Sequence, residues 1–399
     1  MREPLASLAT IHYGRSPSGV LAEDGLIPVI GTGGAYAKTN QALFASGVVV
    51  ARKGSLGTPH LMRSPFWPSD TTFAVVPSPG VDLEWLYFTL LNFDLTKLNE
   101  ATGVPSISRD WLAKVRFERP VLPEQRYVAA ILTSLDKAIE ATEALIAKHH
   151  QIKAGLMQEL LTRGLLPSGQ MRPPVEMAPH HYCETQVGRI SRDWAVLPLE
   201  QCLESSPKNG YSPREVDDWQ GVYVLGLGCR TPSGYEAKQL KYAPRTAALA
   251  CGALLRDGDF LISRANTPSL VGLCGVYRDE GTPTIYSDLM MRLDINPLLD
   301  KQFLEIYLLD PATRSRLTAL AVGTSSSMAK LNSYSLRRFA VCMPIISEQK
   351  AIVERLAPIS ATIRALGAVL EKWRYQKLGL MQDLLTGKVR VPMAEPALA

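Results

Sequence analysis

Two stretches of the chain carry apolar residues at steps of four and three. Positions 128, 132, 135, 139, 142, 146, 149, 153, 156 and 160 hold Val, Leu, Leu, Ile, Thr, Ile, His, Lys, Leu and Leu. Positions 352, 356, 359, 363, 366, 370, 373, 377, 380 and 384 hold Ile, Leu, Ile, Ile, Leu, Leu, Trp, Lys, Leu and Leu. This is the spacing of a coiled-coil seam, and a helix apolar along one stripe must bury that stripe. The seam comprises Leu132, Leu135, Ile139, Ile146, Leu156 and Leu160 in the first stretch, and Leu356, Ile359, Ile363, Leu370, Leu380 and Leu384 in the second. Each seam has its nearest partner in the other. At 1.5 Å per residue, some 40 helical residues would span about 60 Å, a spacer rather than a compact core.

The two stretches are copies. Lys153–Thr162 reads KAGLMQELLT and Lys377–Thr386 reads KLGLMQDLLT, a separation of 224 positions. The same offset places Pro120 on Pro344, Glu124-Gln125 on Glu348-Gln349 and Leu132 on Leu356, and no gap is needed from Ile107 to Thr162. A repeat of this size means that a whole structural unit is duplicated. Pro123 suits a first helical turn and Ser347 suits an N-cap, so both helices are expected to start beside the shared Glu-Gln. Pro358, about three turns into the second helix, predicts a kink or break. Upstream the register is loose: RKGSLG (Arg52–Gly57) answers SRANTPSLVG (Ser263–Gly272), PSD (Pro68–Asp70) answers YSD (Tyr286–Asp288), and IPVIGTGG (Ile27–Gly34) is similar to VYVLGLG (Val222–Gly228).

The layout is therefore variable, constant, variable, constant. The divisions are a first variable domain over 1–118, a helical spacer over 119–165, a Pro-rich linker over 166–188, a second variable domain over 189–342, a second spacer over 343–390 and a tail over 391–399. Runs such as GVVVAR (Gly47–Arg52) and DFLISR (Asp259–Arg264) are strand-like. The predicted class is α+β: two mixed, strand-rich domains separated by a pair of long helices, with an internal repeat.

Composition narrows the class. The 399 residues are 46% hydrophobic and 20% charged, close to the globular average, and no apolar run is long enough to cross a bilayer. MREPLASLAT lacks the apolar core of a signal peptide, so a cytoplasmic location without membrane partners is expected. Six cysteines, all from position 183 onward and without Cys-x-x-Cys spacing, read as reduced structural thiols rather than zinc ligands or disulfides. The formal charge of +5 permits a polyanionic partner.

Catalytic templates fail one after another. GTGG (Gly31–Gly34) has Tyr36 where a phosphate loop needs its third glycine, and reads as a tight turn. There is no His-Glu-x-x-His, no Gly-x-Ser-x-Gly, no kinase signature and no Asn-Pro-Pro-aromatic motif. What the variable domains carry instead is basic and amide side chains in Gly-, Ser- and Pro-rich loops. These are Arg15, Lys38, Asn40, Arg52 and Lys53 in the first domain, and Lys208, Asn209, Arg264, Asn266, Ser326 and Lys330 in the second. Cations and small donors suit phosphate, and Arg and Asn suit purine edges, so these loops have the vocabulary of DNA readout; a solvated loop charge is the plain alternative for each.

The arrangement resembles the specificity subunit of type I restriction-modification systems. LPEQ (Leu122–Gln125) and ISEQ (Ile346–Gln349) carry the resemblance, each followed by a heptad helix ending in GLMQ-acidic-LLT, with TGVPSIS (Thr102–Ser108) and VGTSSSMAKLN (Val322–Asn332) before them. It implies two target-recognition domains, each reading half of a split double-stranded DNA site, with the two helices packed antiparallel to set the gap. It also implies no catalytic residue, no metal and no cofactor in this chain. Two modification subunits would carry S-adenosylmethionine, and restriction subunits that translocate and cut would use ATP and Mg. Two other readings stay open at this point: an enzyme with an unrecognised site, and a coiled-coil oligomerisation scaffold without DNA specificity.

Overall fold

A computed structural model describes residues 2–231, 234–322 and 328–391, which divide into two compact units. One comprises residues 1–146 with 365–399, the other 147–364. The reason for this division is where the apolar side chains go. In the first unit, Val48, Val50, Phe73, Val75, Trp85 and Leu86 share a core with Val128, Ala129 and Leu132 from one long helix and with Met381, Leu384 and Leu385 from the other. In the second, Phe260, Ile262, Met291, Phe303 and Leu304 pack with Leu160, Leu161, Ile352 and Leu356. Each variable domain therefore shares its core with half of both helices.

In the first unit the two larger sheets are built from β1 (Ala9–Tyr13), β2 (Ile27–Gly31), β3 (Gly34–Thr39), β4 (Gly47–Ala51), β5 (His60–Met62), β6 (Trp67–Pro68) and β7 (Thr72–Pro77). They form a four-stranded antiparallel sheet in the order β1-β7-β4-β5 and a three-stranded sheet in the order β3-β2-β6, in which β2 and β6 run parallel. GTGG closes the β2-β3 hairpin, Gly31 opposite Gly34. Helices α1 (Leu83–Asn92) and α2 (Arg109–Lys114) follow.

The second unit has β8 (Lys208–Asn209), β9 (Tyr223–Leu225), β10 (Leu240–Tyr242), β11 (Phe260–Ser263), β12 (Cys274–Val276), β13 (Thr284–Tyr286) and β14 (Met290–Leu293). Its sheets run β8-β14-β11-β12 and β10-β9-β13, with β9 and β13 parallel. Strand for strand this is the topology of the first unit, so IPVIGTGG and VYVLGLG occupy the same central strand, β2 and β9.

The long helices are α3 (Leu122–Thr162) and α6 (Ile346–Leu385). All twenty positions of the four-three stripe are buried or half-buried, whereas the off-stripe apolar residues Leu145, Ile152, Val369 and Leu378 are exposed. Within the first unit, Asp136 pairs with Lys377 at 2.5 Å and Glu143 with Arg374 at 2.7 Å. Rising numbers on α3 meet falling numbers on α6, so the helices are antiparallel. Among the described residues, no helix is long and apolar enough to cross a membrane.

Three expectations need adjusting. Of the kink or break expected at Pro358, the break does not occur, and α6 runs through it. The backbone acceptor it deprives belongs to Glu354, and both residues are exposed, so water can take the lost bond. Ser347 is not the N-cap, because α6 starts one residue earlier; the Ile345 carbonyl receives the N–H groups of Glu348 (2.9 Å) and Gln349 (3.0 Å). The stretch 166–188 is not a free connector: Arg172 within it is 3% exposed and bonds Glu348 at 2.5 Å.

The shared Glu-Gln explains how each domain is fixed to its helix. Gln125 is fully buried; its Oε1 accepts from the Asp82 N–H (2.8 Å) and its Nε2 donates to the carbonyls of Pro120 (2.9 Å) and Gly80 (3.4 Å). Gln349 repeats this with the Asp300 N–H (2.7 Å) and the carbonyls of Pro344 (2.8 Å) and Leu298 (3.0 Å). Asp82 caps α1, and Asp300 caps α4 (Lys301–Leu309), which is followed by α5 (Pro311–Thr318). One amide thus joins two helix starts, and only a side chain with both a donor and an acceptor can do so.

Candidate nucleic-acid interface

In each unit part of the basic loops meets at one backbone turn. In the first, Gly14 follows β1 and runs so close to the turn before β7 that an added Cβ would lie 1.9 Å from the Ser69 carbonyl oxygen. Its N–H bonds the Thr72 carbonyl (3.0 Å), and the Arg15 N–H bonds that of Pro68 (3.0 Å). Arg52, just past β4, donates from its backbone to Thr71 (2.8 Å) and from Nη1 to the Asp70 carbonyl (3.1 Å). Lys53 bonds Thr71 through its N–H (3.1 Å), and its side chain is exposed. Tyr13 is half-exposed, with Arg52 Cζ 5.1 Å and Arg109 Cζ 5.5 Å from its ring centroid.

The second unit rebuilds the turn with other side chains. A Cβ on Gly210 would lie 2.2 Å from the Tyr286 carbonyl oxygen; the Gly210 N–H bonds Met290 (3.2 Å) and the Tyr211 N–H bonds Tyr286 (2.9 Å). Arg264 donates from its backbone to Leu289 (2.8 Å) and from Nη1 to the Asp288 carbonyl (3.4 Å). Arg52 and Arg264 are thus equivalent, anchored on the Asp of PSD and of YSD. Ser212 Oγ donates to the Asp288 carboxylate at 2.5 Å.

Of the residues singled out from sequence, Arg15, Arg52 and Lys53 meet at the first turn. Lys38 and Asn40 lie at the end of β3, exposed, and no hydrogen bond or ring contact joins their side chains to that cluster. In the second unit Arg264, Asn266 and Lys330 share a short ladder, in which Ala265 faces Lys330 and Asn266 faces Ala329. Asn209 stands on β8 just before Gly210. Lys208 is already engaged, with its Nζ 2.7 Å from Asp294. Burial works against ionisation of Asp294, yet hydrogen bonds from Lys208 and Ser205 outweigh it and hold its carboxyl below the usual range. Ser326 lies outside the described residues. Tyr13, Arg109, Gly14 and Gly210 were missed. The signal for the glycines was present, because Gly-x-Ser-Pro occurs at Gly14–Pro17 and again at Gly210–Pro213.

A family model described as the type I restriction modification DNA specificity domain matches residues 3–148. The type I restriction enzyme MjaVIII specificity subunit of Methanocaldococcus jannaschii is 25% identical over 317 residues, 74% of this chain and 67% of that protein. Over these residues the chain is similar to the type I restriction-modification specificity subunits. A second relative from the same organism, the putative MjaX specificity subunit, is 25% identical over 302 residues, covering 73% of this chain and 63% of its own length. Among solved structures, the S subunit from M. genitalium aligns over 99% of this chain and 96% of its own with a TM-score of 0.62 at 12% identity. A chain from a type I system, solved in work on complex assembly and conformational transition, aligns over 98% of both chains with a TM-score of 0.50 at 15% identity. At such identities the structures speak for the specificity-subunit fold alone.

Proposed function

We propose that this chain is a specificity subunit that reads a split, asymmetric double-stranded DNA site, one half through the Pro68–Asp70 turn and its loops and the other through the Tyr286–Asp288 turn. The observation that carries this is the duplicated turn itself: one topology, one glycine approach and one anchored arginine, dressed with different side chains in the two units. A common scaffold with unlike surfaces is what two different half-sites require. In this reading α3 and α6 set the gap. Two modification subunits bring S-adenosylmethionine and the adenine chemistry, restriction subunits bring ATP- and Mg-dependent translocation and cutting, and the chain itself is not catalytic.

Inserting one heptad at matching places in α3 and α6 keeps the stripe in phase and lengthens the rods by about 10 Å, close to three base pairs. The methylated sites mapped for that variant should keep both half-sites and gain spacing. Changed half-sites would refute the division of labour. The purified chain with S-adenosylmethionine and DNA should transfer no methyl group until a modification subunit is added; transfer by the chain alone would favour a hidden active site.

A further inference from the structure

We propose that Tyr13, Arg52 and Arg109 form one contact site on DNA in the first domain, in which Arg52 reads a guanine edge, Tyr13 orients it and Arg109 takes a neighbouring phosphate. The proposal rests on the DNA-reading function above and names the residues of one half of it. Arg52 is held from two sides. Its Nη1 donates to the Asp70 carbonyl at 3.1 Å, and the Tyr13 ring lies 5.1 Å from its Cζ. The ring itself is steadied by Phe73, fully buried, with centroids 5.2 Å apart. With Nη1 engaged, the Nε–H and Nη2–H donors remain side by side on the other edge of the guanidinium, and no acceptor among the described residues takes them. A planar two-donor fork in a fixed orientation matches the O6 and N7 acceptors of guanine, whereas a phosphate makes no such demand on orientation.

Arg109 strengthens the case for an anionic partner. It stands at the first position of α2, exposed, with its Cζ 5.5 Å from the same ring. Among the described residues no carboxylate pairs with Arg52 or Arg109. Two guanidiniums gathered at one ring without a counter-charge repel each other until an anion or an acceptor edge arrives. The second unit differs here. Its counterpart of Tyr13 is Asn209, each residue preceding the glycine whose N–H bonds the adjoining strand, so Arg264 has no ring at the equivalent position among the described residues.

The test uses the chain assembled with its modification subunits and maps methylated bases on random-sequence DNA. Arg52→Lys keeps the charge and removes the fork; it should relax one guanine position in one half-site by about tenfold or more and leave the other half-site unchanged. Tyr13→Leu keeps the apolar contact with Phe73 and should relax the same position less. Arg109→Gln should leave the preferred sequence intact and lower the slope of log affinity against log salt by about one. An unchanged sequence preference in Arg52→Lys, with methylation reduced equally at all sites, would overturn the assignment, as would relaxation in both half-sites. A wild-type complex that methylates without any split sequence preference would instead bring down the function on which the proposal rests. A melting temperature equal to that of the wild type shows that the fold is not what changed, and Tyr13→Leu repeats the readout if Arg52→Lys does not assemble.

Discussion

Two residues at equal positions in the repeat face unequal consequences. Glu348 is 8% exposed and bonds a guanidinium, that of Arg172, which is itself 3% exposed; Glu124 bonds Arg390, whose side chain is 60% exposed. Removing Glu348 leaves the buried Arg172 guanidinium with only the exposed Asp193 carboxylate at 3.2 Å, and Glu348→Ala should cost about 3 kcal/mol of stability in chemical denaturation. Glu124→Ala lets Arg390 return to water and should cost about 1 kcal/mol or less. A titration supplies a second check at this scale. The Asp294 carboxyl is held below its ordinary range, so its contribution is complete above pH about 4, the unfolded value, and fades as pH falls toward the folded one. The stability gap to Asp294→Asn, no more than about 1 kcal/mol for so accessible a pair, should be constant near neutrality and close in acid.

The elements show what was readable and what was not. The four-three stripe of α3 and α6 was plain because a buried seam cannot change length, so Ile107–Thr162 matches its copy without a gap. In the domains the separation of counterparts climbs from 196 at Gly14 and Gly210 to 212 at Arg52 and Arg264, 218 at Asp70 and Asp288, and 224 from Ile107 and Leu331. Each step is extra length between the shared elements of the second domain, some of it folded into the short helices Arg245–Ala250 and Pro311–Thr318, and such connecting segments accept insertions at little cost. This is why RKGSLG and SRANTPSLVG could be matched loosely but Gly-x-Ser-Pro was not paired. The gathering of Tyr13, Arg52 and Arg109 had no local signal at all, since it is made by the β1-β7-β4 register and by the bond from the Ile107 N–H to the Arg52 carbonyl (2.9 Å) just before α2. Ser347 misled because a buried glutamine fixes the start of α6, and α6 continues through Pro358 because the Glu354 turn that loses a bond faces solvent. Pro358→Ala restores that bond and removes a ring clash, so it should raise stability by up to about 3 kcal/mol, seen as a higher denaturation midpoint with an unchanged slope.

For the molecule as a whole, the sharing of cores decides how it can be rearranged. Because α3 and α6 each lend residues to both units, neither variable domain can be cut away with its core intact, yet the loops around each turn are attached to separate sheets. Exchange of one recognition surface while both helices are kept is therefore the rearrangement that the architecture allows. The central claim is that each unit answers for one half-site. Its most direct measurement replaces residues 9–77, the two larger sheets of the first unit, with the corresponding sheets of a specificity subunit of known target and maps the methylated sites of the assembled complex. One half-site should change to that of the donor while the other half and the spacing stay as they were. A change in both halves, or in neither, would contradict the account.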